Sequence, residues 1–216
     1  MYGLGGWEEH RDAIRGLKGR LGFPEEEELE LLALRLSLID GSIYDALRDR
    51  RLNPRSSEEG ELMGIVYQVL SAYSRGVETP PTGRLITSRQ LTGGQICHVM
   101  VGRARRLIAE TFRDETELQR AARLIGGETI EIGGEKAIRI RPLPRVPITI
   151  LFRAGDEELP PEASIFYDGN VESYLDLENL GLLTLLTAMR LREAYRRIRE
   201  RDLLELLLGG RLNSPL

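Results

Sequence analysis

Two consecutive glycines, Gly133 and Gly134, stand between two runs of strand-forming residues, 129–132 and 136–140. A two-residue turn between paired strands needs positive φ at its centre, which glycine reaches without steric cost. The pair therefore predicts a β-hairpin and commits this stretch to an antiparallel sheet. The same pattern occurs earlier in the chain. Leu32, Leu34, Leu36 and Leu38 alternate with Ala33, Arg35 and Ser37, the period of a half-buried strand. Asp40-Gly41 is a second hairpin signal, with the return strand expected over 42–47. Further strands are expected over 85–88, 148–152 and 163–167.

Helices are expected between these clusters. Trp7, Ile14, Leu17 and Leu21 share helical spacing, which predicts an amphipathic helix over 7–21. Pro24 followed by four glutamates predicts a short second helix. Capping-box patterns at Ser56–Glu59, Thr92–Gln95 and Asp114–Glu117 open three more. Asp176 caps a long helix to about Glu200, with a separate apolar helical turn over 203–208. The prolines at 80 and 81 make the stretch 79–83 a rigid, non-helical connector. Strands and helices cluster instead of alternating as βαβ units. The expected fold class is α+β, with a mainly antiparallel sheet built from hairpins, helices packed on it, and a long C-terminal helix. At 216 residues, one domain over 1–216 is expected, with 1–78 its N-terminal part.

Cys97 is the only cysteine, and His10 and His98 are the only histidines. No intrachain disulfide, four-cysteine cluster or histidine-rich metal site can be built from such a chain. No run of 18 apolar residues occurs, so no membrane span is expected. The first residues do not form a secretory signal, which points to a cytoplasmic protein. The net charge of −4 disfavours a non-specific nucleic-acid binder. Lys18 and Lys136 are the only lysines among 30 basic residues, a bias that fits a GC-rich genome or a hot habitat.

From residue 79 to about 196 the chain resembles an uncharacterised domain family of bacteria and archaea. The residues that carry the resemblance are Arg89-Gln90-Leu91 within the stretch 82–94, Leu143-Pro144-Arg145-Val146-Pro147, and the acid–proline loop 155–161. The segments Ser164-Ile165-Phe166-Tyr167-Asp168 and Tyr174-Leu175 follow. Members of that family look typical of anaerobes. Some resemble fusions behind a cysteine-ligated iron–sulfur segment of the kind found in corrinoid and electron-transfer proteins. The resemblance implies a shared fold and a shared ligand, and it carries no established activity or cofactor.

Several residue groups are candidates for chemistry. Arg145, held in a proline-stiffened segment, is suited to clamp a carboxylate or phosphate, or else to form a structural ion pair with Asp156, Glu157 or Asp168. Those three acids are in turn candidates for a divalent metal or a shared proton, or form a solvated acidic loop. Gly93 and Gly94 open a helix whose free N–H groups suit an anion, with Arg84 and Arg89 nearby. His98 is a candidate base or axial ligand, and Cys97 a small buried hydrophobe. Arg190, Arg196 and Arg197, with the leucines at 203, 204, 206, 207 and 208, are candidates for docking a protein partner.

The leading expectation is a ligand- or cofactor-binding protein of anaerobic metabolism. It would hold an anionic small molecule through Arg145, Arg89, Gly93 and Gly94, with Asp156, Glu157 and Asp168 nearby. Two alternatives stand beside it. One is an interaction module that docks a redox or methyl-transfer partner. The other is a metal-dependent enzyme built on the acidic residues.

Overall fold

The computed structural model describes residues 4–91 and 95–209. The N-terminal part begins with α1 (Trp7–Arg15) and a four-stranded antiparallel sheet in the order β1 (Glu28–Leu31), β2 (Leu34–Ser37), β3 (Ile43–Asp45), β4 (Arg50–Arg51). Next come α2 (Ser57–Tyr73), the short β5 (Leu85–Ile86), α3 (Gln95–Thr111) and α4 (Glu115–Leu124). A long meander then runs through β6 (Glu128–Ile132), β7 (Glu135–Leu143), β8 (Val146–Arg153) and β9 (Glu162–Asp168), and α5 (Leu177–Gly209) closes the chain. The second sheet has five antiparallel strands in the order β5-β9-β8-β7-β6. The α+β class, the hairpins and the long final helix are as the sequence predicts, with two sheets instead of one.

The glycine hairpin forms as expected: Gly133 and Gly134 have φ of +60° and +88°, and Ile132 pairs with Glu135. Elsewhere the boundaries differ, for local reasons. α1 ends at Gly16, and Leu17 and Leu21 are buried from the irregular turn that follows. The glutamates after Pro24 form no helix. Glu28 and Glu30 face out while Leu29 and Leu31 face the core, so burial selects a strand over the helix that the charges favour. The long Leu32–Leu38 alternation is broken by a two-residue turn in which Leu32 and Ala33 have φ of +53° and +60°. The apolar end expected as a separate turn after Glu200 continues α5 instead.

Register sorts the large sheet into two faces. Ile138, Ile150 and Ile165 lie side by side, as do Ile140, Ile148 and Tyr167. All are buried and face the layer of α3, α4 and α5. Tyr167 shares a 2.8 Å hydrogen bond with Thr184 on α5. The neighbouring row, Arg139, Thr149 and Phe166, necessarily points to the opposite face, because side chains alternate along a strand. Among the described residues no helix covers that face around β7 to β9, and the connector after α2 runs along it. α2 is buried nearly all round and packs against both α1 and α5, which joins the N-terminal elements to the rest through one contiguous core. Among the described residues no helix is long and apolar enough to cross a membrane.

Candidate functional site

A cleft of about 850 Å³ lies on the uncovered face of the five-stranded sheet. That size falls within the range of small-molecule sites. Its floor is β7 and β8, with Arg139 and Arg141 beside buried Thr149. One wall is the connector, with Glu78, Pro80, Pro81 and Gly83. Another is the β7–β8 turn, with Pro144 and Arg145.

The connector is fixed by Asp168, at the end of β9. Its carboxylate accepts hydrogen bonds from the Thr82 N–H (2.9 Å), the Thr82 hydroxyl (2.8 Å), the Gly83 N–H (2.9 Å) and the Asn170 N–H (3.1 Å). Burial alone would raise this carboxyl, but the donated hydrogen bonds outweigh it and hold the group below the usual carboxylate range. Asn170 and Tyr174 continue the staple by donating to the Thr79 carbonyl at 3.3 and 2.8 Å. A segment without regular secondary structure thereby becomes a rigid wall.

The opposite wall is held as firmly. Pro144 and Arg145 are the two turn residues between Leu143 and Val146, which pair across the hairpin. The Arg145 N–H donates to the Tyr73 hydroxyl at 3.1 Å, and that hydroxyl donates to the Leu21 carbonyl at 2.7 Å. Tyr73 is fully buried, and burial pushes its phenol well above the ordinary value. Gly22, at φ +86°, lies so close that a Cβ there would be 2.7 Å from the Cβ of Pro144. The backbone of Arg145 is immobilised, and its guanidinium extends to Glu78 through Nε and Nη2, both 2.8 Å from one carboxylate oxygen.

Of the predicted site residues that are described, Arg145 and Asp168 line this cleft, and Arg89, Asp156 and Glu157 do not. The ion pair of Arg145 forms with Glu78 and not with Asp156, Glu157 or Asp168. Asp156 binds its own loop instead, accepting from the Leu159 N–H (2.8 Å) and the Glu158 N–H (2.9 Å), which lowers its pKa. Glu157 is exposed in the same loop. Arg89 is exposed on a short 3-10 turn over Ser88–Gln90 and does not line the cleft. Gly93 and Gly94 lie outside the described residues. His98 shares a 3.1 Å hydrogen bond with Ser88, and Cys97 is fully buried. Among the described residues no group of three or more His, Cys, Asp or Glu side chains is placed to hold a metal ion.

Arg190 requires a correction. It was expected on a solvated face able to dock a partner, yet it is 2% exposed and bonded to Asp45. The helix turns it inward, onto the N-terminal sheet. Arg196 remains exposed, and Arg197 is half-exposed and paired with Glu193 and Glu200.

Sequence reasoning missed Arg139, Arg141 and Glu78. Arginines two apart in an otherwise apolar strand must share a face, and that signal was present in Ala137-Ile138-Arg139-Ile140-Arg141. Arg141 is paired with Glu128 at 2.8 Å. Arg139 is half-buried and has no carboxylate partner within salt-bridge distance among the described residues.

No curated protein and no solved structure matches the chain. A family model described as "Domain of unknown function (DUF3786)" matches residues 58–190. That span starts at α2, earlier than the resemblance from residue 79 implies, and it includes every wall of the cleft. The chain belongs to this family, the one described as domain of unknown function DUF3786.

Proposed function

We propose that this protein binds a small anionic ligand in the cleft on the uncovered face of the five-stranded sheet. The observation that supports the reading is Arg139. Its two arginine neighbours in the cleft each hold a carboxylate of the protein, whereas Arg139, in the cleft floor, has none among the described residues. A half-buried guanidinium gains most from an anion that meets its planar fork, because charge-assisted hydrogen bonds strengthen as water is excluded. Arg145 and the stapled connector supply rigid walls, which lowers the entropy lost on binding.

The test is thermal unfolding in the presence of inorganic phosphate, sulfate, citrate and short carboxylates, with wild type beside Arg139→Gln. A ligand selective for the native state stabilises by mass action. The expected result is a saturable rise in melting temperature for at least one anion, lost in the variant. Equal responses in the two proteins would reject the site.

A second reading concerns the outward end of α5. Leu203, Leu204, Leu206 and Leu207 are 56–73% exposed there. Arg192, Arg196 and Arg199 precede them as exposed residues. Such a face suits a protein partner with an apolar groove and an acidic border. Truncation after Asp202 should abolish that association while leaving the circular-dichroism spectrum of the body intact.

A further inference from the structure

The composition of the cleft narrows the class of ligand, on the reading that the cleft is a ligand site. Three arginines, Arg139, Arg141 and Arg145, and three acids, Glu78, Glu131 and Asp168, line the cleft. With Glu128, which pairs with Arg141 from the adjacent strand, the cleft has no excess of positive charge before anything binds. A polyphosphate, a nucleic acid or a dicarboxylate would bring a second negative charge close to Glu78 and Glu128. A single carboxylate on Arg139 brings one charge to the guanidinium of the cleft that has no carboxylate partner among the described residues. Part of the remaining lining is apolar and stiff, with Pro80, Pro81, Leu85, Ile132, Pro144 and Pro147 around the charged floor.

The cleft's two paired arginines both hold carboxylates, and Arg145 grips Glu78 through two nitrogens. That pair also divides the cleft from a second hollow of about 750 Å³, which is lined by both Glu78 and Arg145 and runs toward Gly22 and Phe23. The pair is about half-exposed, and exposed ion pairs contribute little, so opening it costs little. The backbone of Arg145 is locked by Tyr73 and Gly22, so only its side chain is free to exchange partners.

We propose that the ligand is a small organic monocarboxylate. Its carboxylate lies on Arg139, its apolar body lies against the proline walls, and Glu78 competes with it for Arg145.

Isothermal titration with butanoate, hexanoate and octanoate tests this, with succinate and inorganic phosphate as the dianionic comparison. Wild type, Arg139→Gln, Arg139→Lys and Glu78→Gln are titrated in parallel, each checked by circular dichroism. The expected result is affinity rising about fourfold per added methylene, exceeding that for both dianions. It falls at least tenfold in Arg139→Gln, falls less in Arg139→Lys, and rises about two- to fivefold in Glu78→Gln. Phosphate or succinate binding more tightly than hexanoate, and through Arg139, would overturn the monocarboxylate class while leaving an anion site standing. Octanoate binding equally well to wild type and Arg139→Gln, with no anion dependent on Arg139, would overturn both. An unchanged affinity in Glu78→Gln would remove Glu78 as a competitor.

Discussion

Arg190 on α5 and Asp45 on β3 meet through two hydrogen bonds, 2.6 and 2.9 Å long, with both side chains withdrawn from solvent. The same guanidinium donates to the carbonyls of Leu32 and Ala33, the two left-handed residues of the β1–β2 turn. A residue from the long helix thus satisfies a turn whose φ angles would otherwise cost energy. Removing Asp45 leaves Arg190 a buried charge with no carboxylate, and removing Arg190 leaves Asp45 with only the more distant Arg48, 3.7 Å away. Arg190→Ala and Asp45→Ala should each cost about 3–5 kcal/mol, read as a shift in the urea midpoint. The double variant should cost clearly less than the sum of the two, because the pair acts as a unit.

Asp168 makes a second prediction. Asn in its place keeps the shape but turns one acceptor oxygen into a donor that faces backbone N–H groups. Asp168→Asn should lose about 1–3 kcal/mol and loosen residues 79–83. Limited proteolysis checks this: cleavage in the connector should appear in the variant well before it appears in wild type.

Glu59 gives a pH dependence. Hydrogen bonding from Arg50, assisted by the Asn53 N–H, lowers its pKa to about 2. A depressed carboxylate stabilises the fold above its unfolded pKa, and that contribution is lost as pH falls through the folded value. Asp168 is shifted in the same direction. Melting temperature should therefore fall between about pH 4.5 and pH 2. Glu59→Gln should be less stable than wild type at pH 7 and should converge with it at the acid end. A constant gap across that range would show that ionisation is not what Glu59 contributes.

Cys97 should be inert. It is fully buried, and burial pushes its thiol up to about 11. Because the thiolate is the reactive form, a disulfide reagent at pH 8 should modify it only at the rate of unfolding. Reaction measured with and without urea distinguishes this from an accessible thiol, which would react at once in both.

What the sequence determined by itself was local. Gly133-Gly134, the Ser56 and Asp114 caps, the prolines of the connector and the alternation in β7 to β9 each act within a few residues, through φ preference, missing donors or side-chain period. These signals gave the α+β class and most of the elements. They failed where burial opposed local preference, as at Glu28–Leu31, where the glutamates suit a helix start but two leucines needed the core. The site was legible in part for the same reason. Arg145 stood out by its proline neighbours and Asp168 by its place at a strand end. Whether Arg145 would meet Glu78 or Asp156 depended on which strands became neighbours. Only the tertiary structure decided that, by setting the β7–β8 hairpin against the connector, turning Arg190 inward to Asp45, and leaving Arg139 on an uncovered face with no carboxylate of its own. Those outcomes rest on contacts between residues tens of positions apart, and no short-range rule encodes them.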